Sequence, residues 1–229
     1  MNILCTICAR SDSKGLKNKN VKMINGIPLV AHSIIQAKKS RAFDKIVVST
    51  DSKRIQKIAR LYEAECWFLR PKYLASDTIA KLPVIKHLLL ESEKKFNTKF
   101  DIIMDLDVTS PLRLIKDIKN SFKQFLKNKS INMVSVCKSH KNPYFNMIEL
   151  KNNHYEKVKK FKNINFFTRQ KSPVVYDMNA SIYLWKRKAL VKDYKIINKH
   201  TSIFIMPKKR SIDIDTKDDF DYVKFLMSK

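Results

Sequence analysis

The sequence predicts an α/β fold in which a mostly parallel sheet is covered by helices on both faces. Two observations carry this. Short apolar runs of strand length alternate with amphipathic helical patterns from Ile3 to Cys137, and the gaps between them are short. At 229 residues and 44% apolar, the chain is long enough and apolar enough to bury a full core as one domain, residues 1–229.

The elements follow in order. Ile3 to Ala9 is an apolar run that reads as a first buried strand. Pro28 opens a helical pattern through Ser40, with Leu29, Ile34, Ile35 and Ala37 on its apolar side. Lys45 to Thr50 is a second strand, and Asp51-Ser52 start a helix whose Ile55, Ile58, Ala59 and Tyr62 recur at helical spacing. Cys66 to Leu69 reads as a short third strand ending at Arg70-Pro71. A helix from about Pro83 to Phe96, a strand from Phe100 to Leu106, a helix from Asp117 to Leu126 and a strand from Met133 to Cys137 complete the regular part. From residue 139 to 176 the rhythm breaks into asparagines, lysines and paired aromatics without a clear helix, which predicts strands or an arm that leaves the main sheet. Ala180–Trp185 and Ser202–Met206 return as strands, and Lys217 to Met227 closes as a helix.

The formal net charge of +26 is extreme. A polynucleotide footprint would gather it into a stripe with aromatic platforms. Here the lysines are scattered, and asparagine and isoleucine are also abundant, so a general compositional bias accounts for the charge better and nucleic acid is not expected as a partner. The field still favours anionic substrates. No apolar run reaches the ~20 residues that span a bilayer, so a cytoplasmic protein with no membrane contact is expected. Cys5 and Cys8, three apart in a strand, point to opposite faces and cannot share a metal. With Cys66 and Cys137 they read as reduced core residues.

The loop Arg10–Asn20 follows the first strand with one glycine and four cations, Arg10, Lys14, Lys17 and Lys19. Gly15 lets backbone approach closely, and Ser11 and Ser13 offer hydroxyl donors, a combination suited to polyphosphate. In an open α/β sheet this loop lies in the crevice at the carboxyl ends of the strands. A second cluster, Ser211 to Thr216, carries Asp213 and Asp215 at i, i+2 spacing, which in an extended segment puts both carboxylates on one face. Their repulsion is relieved by a hard cation with oxygen ligands, magnesium where phosphates complete the shell, or else one caps the last helix and the other faces solvent. Asp107, Thr109, Ser110, Arg113, Arg169 and Asn179 add polar groups near strand ends. No nucleophile–base pair stands out, which argues against covalent catalysis.

Together these motifs resemble the acylneuraminate cytidylyltransferases, which make CMP-activated nonulosonic acids. Arg10 to Gly15 with Lys19-Asn20, Val48 to Ser52, Arg70-Pro71 with Leu74 to Asp77, Thr109 to Arg113, Arg169-Gln170, Asn179 to Tyr183 and Ser211 to Thr216 carry the resemblance over essentially the whole chain. The resemblance implies a Rossmann-like domain and a homodimer in which the 139–176 arm exchanges into the partner's site. It also implies that Arg10, Ser13, Lys14 and Lys19 hold the triphosphate of CTP, Asn20 and Arg70 the cytidine, and Asp213 and Asp215 a Mg²⁺ ion. Arg10, Lys14 and Asp215 would be catalytic. Asp107, Thr109, Ser110 and Asn179 would lie on the sugar side, with Arg169 reaching in from the other subunit to the sugar's carboxylate.

Departures point to the acceptor. Synthetases for N-acetylneuraminate carry glutamine where this chain has Asp107, and often serine near the base where it has Lys81. Asn142 to Asn146 and Asp177 to Ser181 look more like the subgroup that activates legionaminic acid. N-acetylneuraminate and pseudaminate are the alternatives, and a basic nucleic-acid-binding protein is the remote one. All of this requires residues 10–19 and 213–215 to meet in one crevice.

Overall fold

The computed structural model describes residues 1–12, 15–76, 78–161, 164, 166–192 and 195–228. The chain begins with β1 (Ile3–Cys8) and, after the loop that follows it, a short hairpin of β2 (Met23–Ile24) and β3 (Ile27–Pro28). Next come α1 (Leu29–Ser40), β4 (Lys45–Ser49), α2 (Lys53–Leu61), α3 (Lys81–Phe96) and β5 (Ile102–Leu106). They are followed by α4 (Ile115–Lys127) and β6 (Asn132–Lys138), then by a second hairpin of β7 (Ile148–Lys151) and β8 (His154–Lys157). The last elements are β9 (Tyr176–Lys186), α5 (Arg187–Lys192), β10 (Thr201–Ile205) and α6 (Lys217–Ser228).

Six strands form one sheet in the order β10-β6-β9-β5-β1-β4. β1 runs parallel to β4 and β5, and β10 to β6, while β9 is antiparallel to both of its neighbours. Alternation along the strands divides the core in two. Ile3, Cys5 and Ile7 of β1, Ile102 and Met104 of β5, and Ile182 and Leu184 of β9 face one side, under α1, α2, α4 and α6. Leu4, Ile103, Tyr183 and Trp185 face the other, under α3 and α5. The sheet is therefore mostly parallel with helices on both faces, as the alternating pattern predicts. Cys5 and Cys8 fall on opposite faces, and all four cysteines are free. Among the described residues no helix is long and apolar enough to cross a membrane.

Three expectations change. Cys66–Leu69 is not a strand: only Glu65 pairs, in a single bridge to Val47. The carbonyls of Cys66 and Phe68 instead accept from Gln56 Nε2, and that of Cys66 also from Arg60 Nε, so side chains of α2 take the place of a ladder. The predicted strand from Ala180 starts earlier, at Tyr176, and crosses an irregularity between Val134 and Val136 where Ala180 takes a positive φ of 53°. α3 begins at Lys81 rather than Pro83. A proline in the first turn gives up an N–H that has no helical partner anyway.

The 139–176 excursion does leave the sheet. β7 and β8 are joined by Asn152 and Asn153, both at positive φ, the pattern of a two-residue hairpin turn. At its base Tyr144 packs edge-on against Phe161 and Phe166, whose own rings are tilted to each other.

Candidate active site

The loop after β1 folds back against residues 213–215. Lys19 Nζ donates to the Ile214 carbonyl at 2.5 Å and to Asp215 Oδ1 at 3.2 Å. A Cβ on Gly15 would collide with the Asp215 carbonyl oxygen, so this glycine is required by close backbone approach. The two clusters of opposite charge therefore meet, as their signs require. Asn20 fastens the loop from below, its Nδ2 donating to the Arg10 carbonyl at 2.8 Å. Ser11 turns away: its N–H and hydroxyl both donate to Asp51. Ser13 and Lys14 lie outside the described residues.

A cavity of about 470 Å³ opens beside this junction at the carboxyl ends of the strands. Arg10, Gly15, Lys19, Asn20, Arg70 and Asp215 form one side of it, and Lys81, Asp107 and Thr109 another, over an apolar floor that includes Cys8, Ile79 and Val84. Burial pushes the Cys8 thiol well up, which keeps it protonated and inert. Arg70 is buried at the end of β4, where Nε donates to Ser49 Oγ and Nη2 to the Ser49 carbonyl.

Asp213 and Asp215 flank Ile214, which is buried in the core. Its N–H donates to the Thr109 carbonyl, docking the segment onto the turn after β5. Just upstream, Arg210 forms a two-pronged ion pair with Asp117 of α4, at 2.7 and 3.0 Å. Asp215 is exposed, whereas Asp213 is half sunk and its buried Oδ1 has no hydrogen-bond partner. Burial, reinforced by the charge of Asp107, pushes the Asp213 carboxyl up to about 6 against the pull of a hydrogen bond from Thr109. A buried carboxylate oxygen without a donor marks a site short of positive charge.

Asp107 is the most constrained polar group of the cavity. Its carboxylate accepts from the N–H and hydroxyl of Thr109 at 3.0 and 2.9 Å and from Lys81 Nζ at 2.5 Å. Burial alone would raise it, but Lys81 brings it down to about 2. Lys81 also pairs with Asp105 at 2.7 Å, and Asp105 is completely buried and accepts from Thr6 Oγ1. Behind them Arg113 is fully buried. It donates to the carbonyls of Ser181 and Asp107 and to Ser33 Oγ, and burial lowers it to about 10. In the sequence Arg113 stands as a polar strand-end residue and the last position of the Thr109–Arg113 motif, and Lys81 as a departure; neither reading gives them these partners. The first signal of their place here is that Lys81 opens α3 on the face where Asp105 and Asp107 emerge.

Two predicted sugar-side residues do not line the cavity. Ser110 Oγ donates to the Asn179 carbonyl, and Asn179 Oδ1 accepts from Ser135 Oγ while its Nδ2 donates to Ser211 Oγ. Both are buried, and they brace the turn after β5 against β9 and the 211–215 segment. Arg169 sits elsewhere in the same chain. Its Nη2 donates to the Ser139 carbonyl, beside a separate cavity of about 380 Å³ at the root of the arm.

Known proteins resemble the chain over nearly its whole length. Post-translational flagellin modification protein B of Campylobacter coli is 48% identical over 227 residues, covering 99% of this chain and 95% of its own length. The CMP-N,N'-diacetyllegionaminic acid synthase of Campylobacter jejuni is 47% identical over 226 residues, again covering 99% of this chain and 95% of its own. Among solved structures, CMP:2-keto-3-deoxy-manno-octonic acid synthetase complexed with CTP has the same fold, with a TM-score of 0.73 at 12% identity, covering 100% of this chain and 99% of that one. The family model described as Cytidylyltransferase matches residues 4–227, and the chain belongs to that family.

Proposed function

We propose that this chain transfers the cytidylyl group of CTP to a nonulosonic acid of the N,N'-diacetyllegionaminic type and releases pyrophosphate. The observation that carries the reading is the junction itself: Gly15 and Lys19 lie against Ile214 and Asp215 at the edge of one cavity. The relative at 47% identity supplies the acceptor class.

The anomeric hydroxyl of the sugar acid attacks the α-phosphorus of CTP and pyrophosphate leaves. Such transfers are accelerated mainly by positioning and by neutralising charge on phosphate oxygens. Arg10 and Lys19 stand where the triphosphate would enter, with Lys14 assigned there by resemblance. Asn20 and Arg70 hold the wall assigned to cytidine. Among the described residues no cavity side chain is an evident general base.

Asp213 and Asp215 fit a Mg²⁺ ion. Both are oxygen donors, one of them has a buried oxygen without a donor, and repulsion from Asp107 adds to the need for a cation. When bound, the ion would withdraw charge from the phosphate oxygens and lower the pKa of a coordinated hydroxyl. Arg169 and the arm, residues 139–176, are read as serving the cavity of a second copy. The apolar surface of the arm supports this: Ile148, Leu150, Tyr155 and Phe167 are all exposed.

The test is pyrophosphate release from CTP and Mg²⁺ with a panel of sugar acids: N,N'-diacetyllegionaminate, N-acetylneuraminate, pseudaminate and Kdo. The reading predicts the highest kcat/KM with the first. A higher value with another would reassign the acceptor, and no release with any would remove the reading.

A further inference from the structure

We infer that Lys81 is a positioning residue that holds the Asp107 carboxylate so that one acceptor position faces the cavity, where it receives an N–H or O–H donor of the acceptor sugar. The inference deepens the proposed cytidylyl transfer and rests on it.

A carboxylate offers about four acceptor positions on its two oxygens. In Asp107, Oδ1 takes both donors of Thr109, and Oδ2 takes Lys81 Nζ. One position on Oδ2 is left, on a side chain that lines the cavity. Those three donors hold the side chain, and the backbone beneath it is pinned as well. The Asp107 carbonyl accepts from Ser33 Oγ and from Arg113, and its N–H donates to the Ser181 carbonyl at 3.2 Å.

Lys81 is equally committed. Its ammonium lies 2.5 Å from Asp107 and 2.7 Å from Asp105, and 4.6 Å from the centroid of the Tyr183 ring. An ammonium with two carboxylates and a ring face around it has little left for a nucleotide base. It acts on its neighbour instead. Together with the two donors of Thr109 it fixes both oxygens of the Asp107 carboxylate, whose remaining position can only accept. A site built around a buried acceptor strongly rejects substrates that cannot supply the donor.

The experiment measures KM separately for CTP and for N,N'-diacetyllegionaminate in the wild type, Asp107→Asn, Lys81→Met, Lys81→Arg and the Asp107→Asn/Lys81→Met pair, with thermal melts to establish folding. Asp107→Asn and Lys81→Met should each raise the sugar KM about tenfold or more with the CTP KM within about twofold, because only an acceptor-side contact is lost. The pair should be no worse than the poorer single variant, since both remove one device. Lys81→Arg, which keeps the charge, should recover part of the loss and serves as the readout if Lys81→Met does not fold. Lys81 variants that raise the CTP KM and leave the sugar KM unmoved would overturn the inference while leaving the function standing, as would folded Lys81 variants with wild-type constants. A wild type inactive with every sugar acid would instead remove the functional reading, and this inference with it.

Discussion

The cavity at the sheet edge and the arm at residues 139–176 dispose of their side chains in opposite ways. Around the cavity the side-chain donors turn to backbone: Lys19 reaches that of Ile214, Arg70 that of Ser49, Arg113 that of Ser181, and Asn20 that of Arg10. The arm turns apolar groups outward, with Phe167 84% and Ile148 65% exposed, and sets Arg169 beside a cavity of its own. The first region turns its polar groups inward, whereas the second leaves apolar surface uncovered. The difference teaches how, on the proposed reading, the nucleotide end of the site would be built within one chain and the sugar end completed by another.

Asp215→Asn should break the first region most. If it helps hold the Mg²⁺ that neutralises charge on the reacting phosphate, turnover with CTP and Mg²⁺ should fall at least about a hundredfold, roughly 3 kcal/mol of transition-state stabilisation. A rate within about threefold of wild type would show that the cluster at 213–215 is ordinary helix-entry structure.

Asp213→Asn should do two opposite things. A carboxyl whose folded pKa is raised to about 6 costs stability when ionised. That cost is absent below the unfolded value near 4, grows as pH rises to about 6, and is complete above it. In metal-free buffer at pH 7.5 the variant should therefore melt higher than wild type by a few degrees, for about 1–3 kcal/mol. The gap should close by pH 4, while activity is lost at every pH. Equal melting temperatures at pH 7.5 would mean that Asp213 is not a strained group.

Gly15→Ala should act more mildly, through geometry alone. The added methyl group must push the loop off the Asp215 carbonyl. An increase in the CTP KM of about tenfold, with the melting temperature changed by no more than about 4 °C, would mark a local displacement. An unaltered CTP KM would detach this contact from nucleotide binding.

Much of this was legible in the sequence, because the signals were local. The apolar runs of β1, β5 and β9 and the helical patterns of α1, α2 and α4 survive into the structure, and Gly15 does sit where backbone approaches closely. The losses are non-local. Cys66–Leu69 has the apolar residues of a strand, but side chains of α2 take up its carbonyls, which no window of sequence reveals. Ser110 and Asn179 look like site residues because they are polar and near strand ends. That their polar atoms meet each other and Ser135 depends on β9 inserting antiparallel between β5 and β6. Lys81 and Asp107 are 26 positions apart and read as two unrelated departures, yet they form one ion pair.

The most direct test of a site divided between two copies is complementation. Asp215→Asn damages the cavity and Arg169→Ala the arm, so each variant alone should be nearly inactive. Coexpressed, the two should form mixed dimers in which one of the two cavities has both an intact Asp215 and a partner's intact Arg169. The account predicts that roughly a quarter of wild-type activity returns, the share expected when copies assort at random into twofold dimers. A mixture no more active than its separate components would contradict it.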